Sequence, residues 1–237
     1  MGEISMQVAH EIRNPLGSIE LFLSMMKMDT DEDSSEMDLI QHITSATRSM
    51  NHIISNLLEY TKPRPAVLEK LDPHSLLSEF ADFARFSALQ QNIDVTVELN
   101  AERSEIRGNK ELLKQVLHNL FVNACQAMPE GGTLHLSTEN RLEDDPMILE
   151  RFNNNFILKD QPQELIEINI IDTGKGMTNE VKKRLFDPFF TTREQGTGLG
   201  LSIAHKTMAS HGGTILIDSA LNRGTKISLL FPLFIAE

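Results

Sequence analysis

The chain has 237 residues, of which 40% are hydrophobic and 24% charged, as is usual for a soluble globular protein of one large or two modest domains. Its 22 Lys and Arg residues against 34 Asp and Glu residues give a formal charge of −12, which argues against a nucleic-acid-binding surface because such a surface needs clustered positive charge. No apolar run approaches the ~20 residues that span a bilayer, so we expect no membrane contact by this segment.

The first helix is predicted over residues 4–28. Its apolar residues alternate at spacings of four and three, the heptad pattern of helices that pack along a seam. His10 lies about 200° round the helix from its neighbours in that seam, so we expect it to point outward. Pro15 removes one helical hydrogen bond and is expected to bend the helix just after His10. The seam residues are Val8, Ile12, Pro15, Ile19, Phe22 and Met26.

A second helix with a heptad seam follows the acidic turn at residues 29–36. Two such helices form an antiparallel hairpin, and pairing two hairpins into a four-helix bundle covers a seam that one hairpin leaves exposed. A homodimer is therefore predicted; the alternative is a hairpin that packs on the remainder of the chain. The prolines of Lys62-Pro-Arg-Pro65 end the helix and mark the predicted domain boundary. The second seam contains Leu39, Ile43, Ala46, Met50, Ile53, Leu57 and Tyr60.

Helices and strands are predicted to share the remainder of the chain. Asp72 and Pro73 have the character of a helix cap and a first helical residue, and that helix should reach about Gln90. Residues 140–163 are polar and long for a connection, and we interpret them as a variable excursion. Two further helices are predicted at 109–129 and 202–210, and strands at 93–99, 104–107, 133–138, 165–171, 214–218 and 225–231.

Two glycine-bearing stretches are suited to one nucleotide. Asp172-Thr-Gly-Lys-Gly-Met177 follows a predicted strand, and Gly196-Thr-Gly-Leu-Gly-Leu201 opens a predicted helix. Glycines let backbone N–H groups approach phosphate oxygens, and a helix N-terminus adds favourable partial charge. The Asp172 carboxylate can accept a hydrogen bond from an exocyclic amine such as that of adenine. Between the two stretches, Phe186-Asp-Pro-Phe-Phe-Thr-Thr192 is suited to a movable lid.

Asn119 and Asn123 are four residues apart, so their amides project from one face of a helix. Amide oxygens are suitable ligands for Mg²⁺. The alternative interpretation is that one or both asparagines hydrogen-bond within the fold. Cys125, the single cysteine, is expected to be a buried, reduced thiol.

Together these stretches resemble the nucleotide boxes of sensor histidine kinases. Residues 118–127 resemble the family's asparagine box, and His10-Glu-Ile-Arg-Asn-Pro-Leu16 resembles its phospho-acceptor box. The resemblance implies an α+β fold: an N-terminal helical hairpin that forms a dimeric four-helix bundle, then an α/β sandwich ATP-binding domain of the gyrase/histidine-kinase type. The implied parts are a dimerisation and histidine phosphotransfer domain at 1–62, a linker at 63–71 and a catalytic ATP-binding domain, with a mixed sheet and helices on one face, at 72–237.

The resemblance also implies ATP and Mg²⁺ as cofactors. Asp172 would select adenine, and Asn123 would be a more direct Mg²⁺ ligand than Asn119. Arg193 would offset charge on the γ-phosphate, with a solvated surface arginine as the alternative. The implied ATP-binding residues are Asn119, Asn123, Asp172, Gly174, Gly176, Thr192, Arg193, Gly196, Thr197, Gly198, Leu199, Gly200 and Thr225.

The activity implied by the resemblance is that of a protein-histidine kinase in two-component signal transduction. His10 would accept the γ-phosphoryl group as a neutral imidazole, and Glu11 would orient the ring or take its proton. The phosphoryl group would then pass to an aspartate in the receiver domain of a response regulator. Asn14 matches the family position that orients water to dephosphorylate that partner, so regulator phosphatase activity is a further hypothesis.

Two other function classes stay open from the sequence. The ATP boxes also resemble those of gyrase, mismatch-repair ATPases and chaperones, which hydrolyse ATP to drive a conformational clamp. The other class is an inactive dimeric scaffold. The His10 motif on a heptad hairpin argues against an ATP-driven clamp. The intact Asn, Asp and Gly positions argue against an inactive scaffold. A cytoplasmic location is expected, and a membrane-anchored parent protein is compatible with it.

Overall fold

The computed structural model describes residues 2–28, 30, 34–44, 46–47, 50, 67–142, 164–193 and 197–235, with side chains described from Pro15 onward except that of Gln90. The chain divides into two compact units, Met1–Arg64 and Pro65–Glu237. None of the helices within the described ranges is long and apolar enough to cross a membrane.

The first unit contains the first predicted helix and the described part of the second. Helix α1 covers Gly2–Met28 and includes Pro15. Helix α2 is described at residues 35–44, 46–47 and 50, and the rest of the second predicted helix lies outside the described residues. It begins where the Ser34 hydroxyl accepts a hydrogen bond from the Met37 N–H, at 3.1 Å, so that a serine cap satisfies one of the free donors of the first turn.

The described part of the heptad seam is exposed in this unit. Among the described residues of α1 and α2, the buried side chains belong instead to a neighbouring stripe made of Leu16, Leu23, Met37, Ile40 and Thr47. Phe22 and Leu39, both in the predicted seam, are 62% and 63% exposed. The remaining described seam residues are also exposed, namely Pro15, Ile19, Met26, Ile43, Ala46 and Met50, whereas the side chains of Val8, Ile12, Ile53, Leu57 and Tyr60 lie outside the described part.

The described part of the second unit is built on two sheets. Its strands are β1 Glu69–Leu71, β2 Ile93–Leu99, β3 Ile106–Gly108, β4 Gly132–Leu142, β5 Glu164–Asp172, β6 Thr214–Ser219 and β7 Thr225–Pro232. A mixed five-stranded sheet has the order β2-β4-β5-β7-β6, in which β2 and β4 are parallel and the other neighbours are antiparallel. A separate antiparallel pair joins β1 to β3.

Four α-helices accompany these strands in the described part of the second unit. Asp72 caps α3 by accepting hydrogen bonds from the His74 and Ser75 N–H groups, and Asn109 caps α4 by accepting one from the Leu112 N–H. A single turn of 3₁₀ helix follows α3, so the helical segment reaches Gln90 as predicted. The helices are α3 Pro73–Ala88, the turn Leu89–Gln91, α4 Lys110–Ala127, α5 Asn179–Arg184 and α6 Gly200–Ser210.

The core lies between one face of the large sheet and helices α3, α4 and α6. Alternate strand residues point into it, because successive side chains of a strand face opposite sides of the sheet. This arrangement confirms the predicted α/β sandwich with a mixed sheet. The apolar strand residues buried on that face are Ile93, Val95, Leu134, Leu136, Ile166, Ile168, Ile170, Ile215, Ile227, Leu229 and Phe231.

Strand β4 is longer than predicted. The expected strand ended at 138, but pairing with β5 continues until Leu142 lies opposite Glu164. Of the added residues, Glu139, Asn140 and Arg141 are polar, and the Arg141 guanidinium lies 2.9 Å from the carboxylate of buried Glu167. Charged side chains interrupt the apolar alternation here, so the sequence pattern did not predict the true end of this strand. The rest of the predicted excursion, 143–163, lies outside the described residues.

Candidate functional site

Asp172 is placed at the end of β5, where the strand leaves the sheet. Its side chain is only 8% exposed, and one carboxylate oxygen accepts a hydrogen bond from the Gly174 N–H at 2.9 Å. Burial raises the pKa of Asp172, although backbone N–H groups of Gly174 and Thr225 oppose that rise. Thr225 begins β7 directly opposite Asp172 in the sheet register. Asp172 is thus a rigidly held acceptor at one edge of the sheet.

The turn after Asp172 is pressed against α4 and against the loop between β6 and β7. A Cβ atom on Gly174 would lie 2.6 Å from the Ala127 carbonyl oxygen, and the next N–H, of Lys175, donates to that oxygen at 3.0 Å. Gly176 has φ +61°, and a Cβ there would lie 2.0 Å from the Ala220 carbonyl oxygen. Only glycine fits both positions, so the turn is fixed to the helix that carries the asparagine pair.

Ser219 is a residue of the site that the sequence analysis missed. Its hydroxyl accepts a hydrogen bond from the Met177 N–H at 3.0 Å and donates to the Gly224 carbonyl at 2.9 Å. The Thr225 hydroxyl lies 3.0 Å away and must donate to Ser219, because the serine proton is already used. Ser219 therefore orients Thr225 and the glycine turn. Its one sequence signal is its place directly after the predicted strand at 214–218, and its position opposite Thr225 is seen only in the structure.

The two asparagines of α4 share a helix face but have different partners. Asn119 is buried, and its amide nitrogen donates to the Gly200 carbonyl, the first residue of α6, at 3.4 Å. Asn123 lies one turn later, and its amide oxygen accepts a hydrogen bond from the Arg193 guanidinium at 3.0 Å. Asn119 thus faces a helix N-terminus, which carries partial positive charge, and Asn123 faces a full positive charge.

The predicted lid is joined to the second glycine stretch. The Phe189 N–H donates to the Gly198 carbonyl at 3.0 Å, and a Cβ on Gly198, at φ +65°, would lie 2.4 Å from the Phe189 backbone. Phe189 itself has φ 66°, which an aromatic residue rarely adopts. The Thr197 hydroxyl accepts from the Leu199 N–H at 3.2 Å as the chain enters α6. These contacts shape the approach to the N-terminus of α6.

The predicted residues therefore fall into two groups at the two ends of one surface. Asp172, Gly174, Gly176 and Thr225 lie at the ends of β5 and β7, and α4 connects them to the asparagines, Arg193 and α6. Thr192 is exposed, and Leu199 is buried beneath the helix entrance. Gly196 lies outside the described residues, as do the side chains of His10, Glu11 and Asn14, whose backbone is helical in α1.

The second unit thus belongs to a class of nucleotide-binding domains in which a helix-covered sheet presents a carboxylate at a strand end and a glycine-led helix beside an asparagine. The chain belongs to the family of histidine kinase-, DNA gyrase B- and HSP90-like ATPases, whose model matches residues 108–235. Residues 1–65 match the His Kinase A phospho-acceptor domain. This pair of domains is that of a two-component sensor histidine kinase catalytic core, which confirms the family predicted from the motifs.

Curated relatives match nearly the whole chain, across both of these domains. The signal transduction histidine-protein kinase AtoS of Escherichia coli K12 is 31% identical over 233 residues, which are 98% of this chain and 35% of AtoS. Sporulation kinase A of Bacillus subtilis is 31% identical over 232 residues, 98% of this chain and 34% of that kinase. The sensor histidine kinase ZraS of E. coli K12 is 28% identical over 237 residues, 100% of this chain and 46% of ZraS. The chain spans about a third to a half of these proteins.

Solved structures support the same fold. The full-length ShkA crystal structure, in complex with AMPPNP, has a TM-score of 0.77 at 20% identity and is matched over 100% of this chain and 47% of that one. Histidine kinase ThkA, in complex with response regulator protein TrrA, has a TM-score of 0.64 at 28% identity and is matched over 98% of this chain and 62% of that one.

Proposed function

We propose that this chain transfers the γ-phosphoryl group of ATP to His10 and then to an aspartate of a response regulator. The observation that carries the proposal is the presence, in one chain, of a phospho-acceptor domain match over residues 1–65 and an ATPase family match over residues 108–235. The ThkA structure, which contains a response regulator, supports a receiver domain as the partner. The cytoplasm, where ATP and receiver domains are found, is the proposed compartment.

The adenine end of ATP binds at Asp172 in this proposal. The buried carboxylate accepts a hydrogen bond from the exocyclic amine, and Thr225 and the glycine turn line the same edge of the sheet. The surroundings of Asp172 support this role, because a buried acceptor held by backbone N–H groups is preorganised for a donor. Gly198 and Gly200, with Gly196, Thr197 and Leu199, approach the phosphates at the α6 entrance, where backbone N–H groups and partial positive charge favour anions.

Mg²⁺ is proposed to bind at Asn123, assisted by Asn119. The donor set fits a hard cation, because the Asn123 amide oxygen already faces the positive charge of Arg193. When bound, the metal supplies charge neutralisation at the phosphates. Thr192, at the end of the lid, and Arg193, which directly follows it, approach the γ-phosphate in this proposal. This chain's own residues thus orient the phosphates and limit their access to water.

The transfer step is in-line displacement at the γ-phosphorus. A ring nitrogen of His10 forms the new N–P bond as the bond to the bridging oxygen of ADP breaks, so ADP leaves with that electron pair. Glu11 accepts the proton lost from the imidazole ring. In the second step the N–P bond breaks as a regulator aspartate oxygen takes the phosphoryl group. Asn14 then orients water for hydrolysis of the acyl phosphate on the regulator.

A homodimer is part of this proposal, with residues 1–62 as the dimerisation and phosphotransfer domain. Residues 63–71 serve as the linker and 72–237 as the catalytic domain. The exposed heptad seam of α1 and α2 supports dimerisation, because two copies would cover apolar side chains that one copy leaves in water. Residues 69–71 of the linker also form strand β1, which ties the linker to the catalytic domain through β3.

The deciding experiment is incubation with γ-labelled ATP and Mg²⁺, comparing the wild-type chain with His10→Ala. Acid-labile label on the wild type alone is expected, because phosphohistidine is hydrolysed by acid and the variant lacks the acceptor. ATP hydrolysis without protein label, equal in both chains, would indicate an ATP-driven clamp and contradict the proposal. Chasing the label into a receiver domain tests the second step, and Asn14→Ala should slow subsequent loss of label from that domain.

A further inference from the structure

Arg193 makes an unusually complete set of contacts with the last turns of α4. Its guanidinium donates to the Asn123 amide oxygen at 3.0 Å, to the Asn123 backbone carbonyl at 3.2 Å and to the Gln126 side-chain oxygen. Partial burial lowers the pKa of Arg193, yet an arginine remains charged at any physiological pH. Arg193, which directly follows the lid, thus holds with its full positive charge the oxygen that the proposed function gives to Mg²⁺.

We infer that Arg193 and Mg²⁺ compete for the Asn123 amide oxygen, so that metal-nucleotide binding must displace Arg193 from α4. This inference rests on the proposed assignment of Asn123 as a metal ligand. A Mg²⁺ ion at its usual distance from that oxygen, with the guanidinium still hydrogen-bonded to it, would place two cations about 4 Å apart. In a partly buried site such repulsion is weakly screened, and one cation excludes the other.

The exchange couples the metal site to the lid. Arg193 directly follows the predicted lid, which has a second attachment where Phe189 donates to Gly198. Displacing the guanidinium therefore releases one end of the lid while the Phe189 contact remains. The released charge becomes available to phosphate oxygens in the same step. By thermodynamic linkage, anything that holds Arg193 on α4 weakens Mg²⁺ binding, and Mg²⁺ weakens the hold of α4 on the lid to the same degree.

A purely structural role for the contacts between Arg193 and α4 predicts a different result. If Arg193 only secured the lid in the binding-competent arrangement, removing it would weaken nucleotide binding with and without metal, or change neither. Competition predicts instead that removing Arg193 strengthens nucleotide binding in the presence of Mg²⁺ relative to binding without the metal. The quantity that separates the two is the ratio between ADP affinity with Mg²⁺ and ADP affinity in a metal chelator. ADP is the suitable probe because it lacks the γ-phosphate that would itself attract Arg193.

The test is isothermal titration of the full chain with ADP, with saturating Mg²⁺ and with chelator. Arg193→Met, which keeps an apolar stem but loses the charge, should raise the affinity ratio about tenfold, the scale of one lost hydrogen bond to a charged group. Gln126→Ala leaves Arg193 and Asn123 intact but removes one anchor, so it should raise the ratio by a smaller factor. Arg184→Met is the matched control, since Arg184 lies 4.3 Å from the Phe190 ring and contacts the lid rather than α4. It should leave the ratio unchanged.

An affinity ratio that is unchanged or lowered in Arg193→Met would overturn the competition. A rise of equal size in the Arg184 control would also overturn it, because a general loss of positive charge would then suffice. Gln126→Ala keeps the inference testable if Arg193→Met fails to fold. Failure of the wild-type chain to bind ADP at all is a separate result, which would contradict the proposed ATP site itself.

Discussion

At the scale of single residues, Asp172 shows how a binding role and stability oppose each other. A carboxylate that is 8% exposed loses most of its hydration, and two backbone N–H groups restore only part of it. Its pKa is therefore raised, and the charged form is less favourable in the folded chain than in the unfolded one. Such a group persists at a binding site because a ligand donor supplies the missing hydrogen bond.

Replacing Asp172 by Asn tests that role. We expect ATP affinity to fall at least about tenfold, because the amide presents a donor where the adenine amine needs an acceptor. The amide oxygen can still accept from Gly174, so the free energy of unfolding should change by no more than about 1 kcal/mol. Calorimetric titration and denaturant unfolding measure the two effects. Asp94→Asn, at an exposed position of β2, should alter neither.

The sign of the pH dependence follows from the same group. Because burial raises the pKa of Asp172, the wild-type chain should lose ATP affinity, as pH falls, at a higher pH than an ordinary aspartate would allow. The Asn variant should lack this component. Equal ATP affinity in wild type and variant across the pH range would contradict the assignment of Asp172 to adenine.

At the scale of elements, local pattern predicted most of the second unit. Strands that bury one face carry alternating apolar residues, and the caps Asp72 and Asn109 mark helix starts that the structure confirms. The polar end of β4 was missed because its partners, such as Glu167 for Arg141, lie on the next strand. The contact between Arg193 and Asn123 joins residues 70 positions apart. No local pattern contains such pairs, since they depend on how the elements pack.

His211 is another such long-range connection, and it ties two elements that carry the site. Its ring is buried at the end of α6, where Nδ1–H donates to the Thr207 carbonyl at 2.7 Å and Nε2 accepts from the Asn109 N–H at 3.0 Å. Asn109 caps α4, so one neutral imidazole joins the end of α6 to the start of the helix that bears the asparagine pair. Protonation of Nε2 would remove the acceptor.

A defined pH dependence of stability follows from His211. Burial lowers its pKa in the folded chain, so the unfolded chain binds the proton more readily. The His211 contribution to stability is complete above about pH 6.5, the ordinary histidine value, and is lost progressively as pH falls below it. Denaturant unfolding at pH 7.5 and 5.5 should show this loss in wild type and a smaller one in His211→Asn. His42→Gln, at an exposed position, should retain the wild-type dependence.

At the scale of the whole molecule, the first unit has an apolar surface that a single chain does not cover. The heptad pattern predicted an apolar stripe, but it could not distinguish the stripe that is buried within the described part of this unit from the one that faces outward. In the structure, Leu16 and Ile40 belong to the buried stripe, whereas Phe22 and Leu39 belong to the exposed one. Exposed apolar side chains at coiled-coil spacing are typical of a surface that a second copy covers.

Placing charge on that exposed stripe tests the dimer. Phe22→Glu combined with Leu39→Glu should weaken dimerisation at least about 100-fold, because both carboxylates would be desolvated between apolar helices. Glutamate is a good helix former, so α1 and α2 should persist. Ser24→Glu with Gln41→Glu adds the same charge two residues away, on the opposite side of each helix, and should leave a dimer.

Sedimentation velocity measures the mass of each chain. ADP affinity should be equal in all of them, since the nucleotide residues belong to a separate compact unit. A wild-type monomer, or a dimer that survives the seam variant as well as the control, would show that this stripe is not the interface.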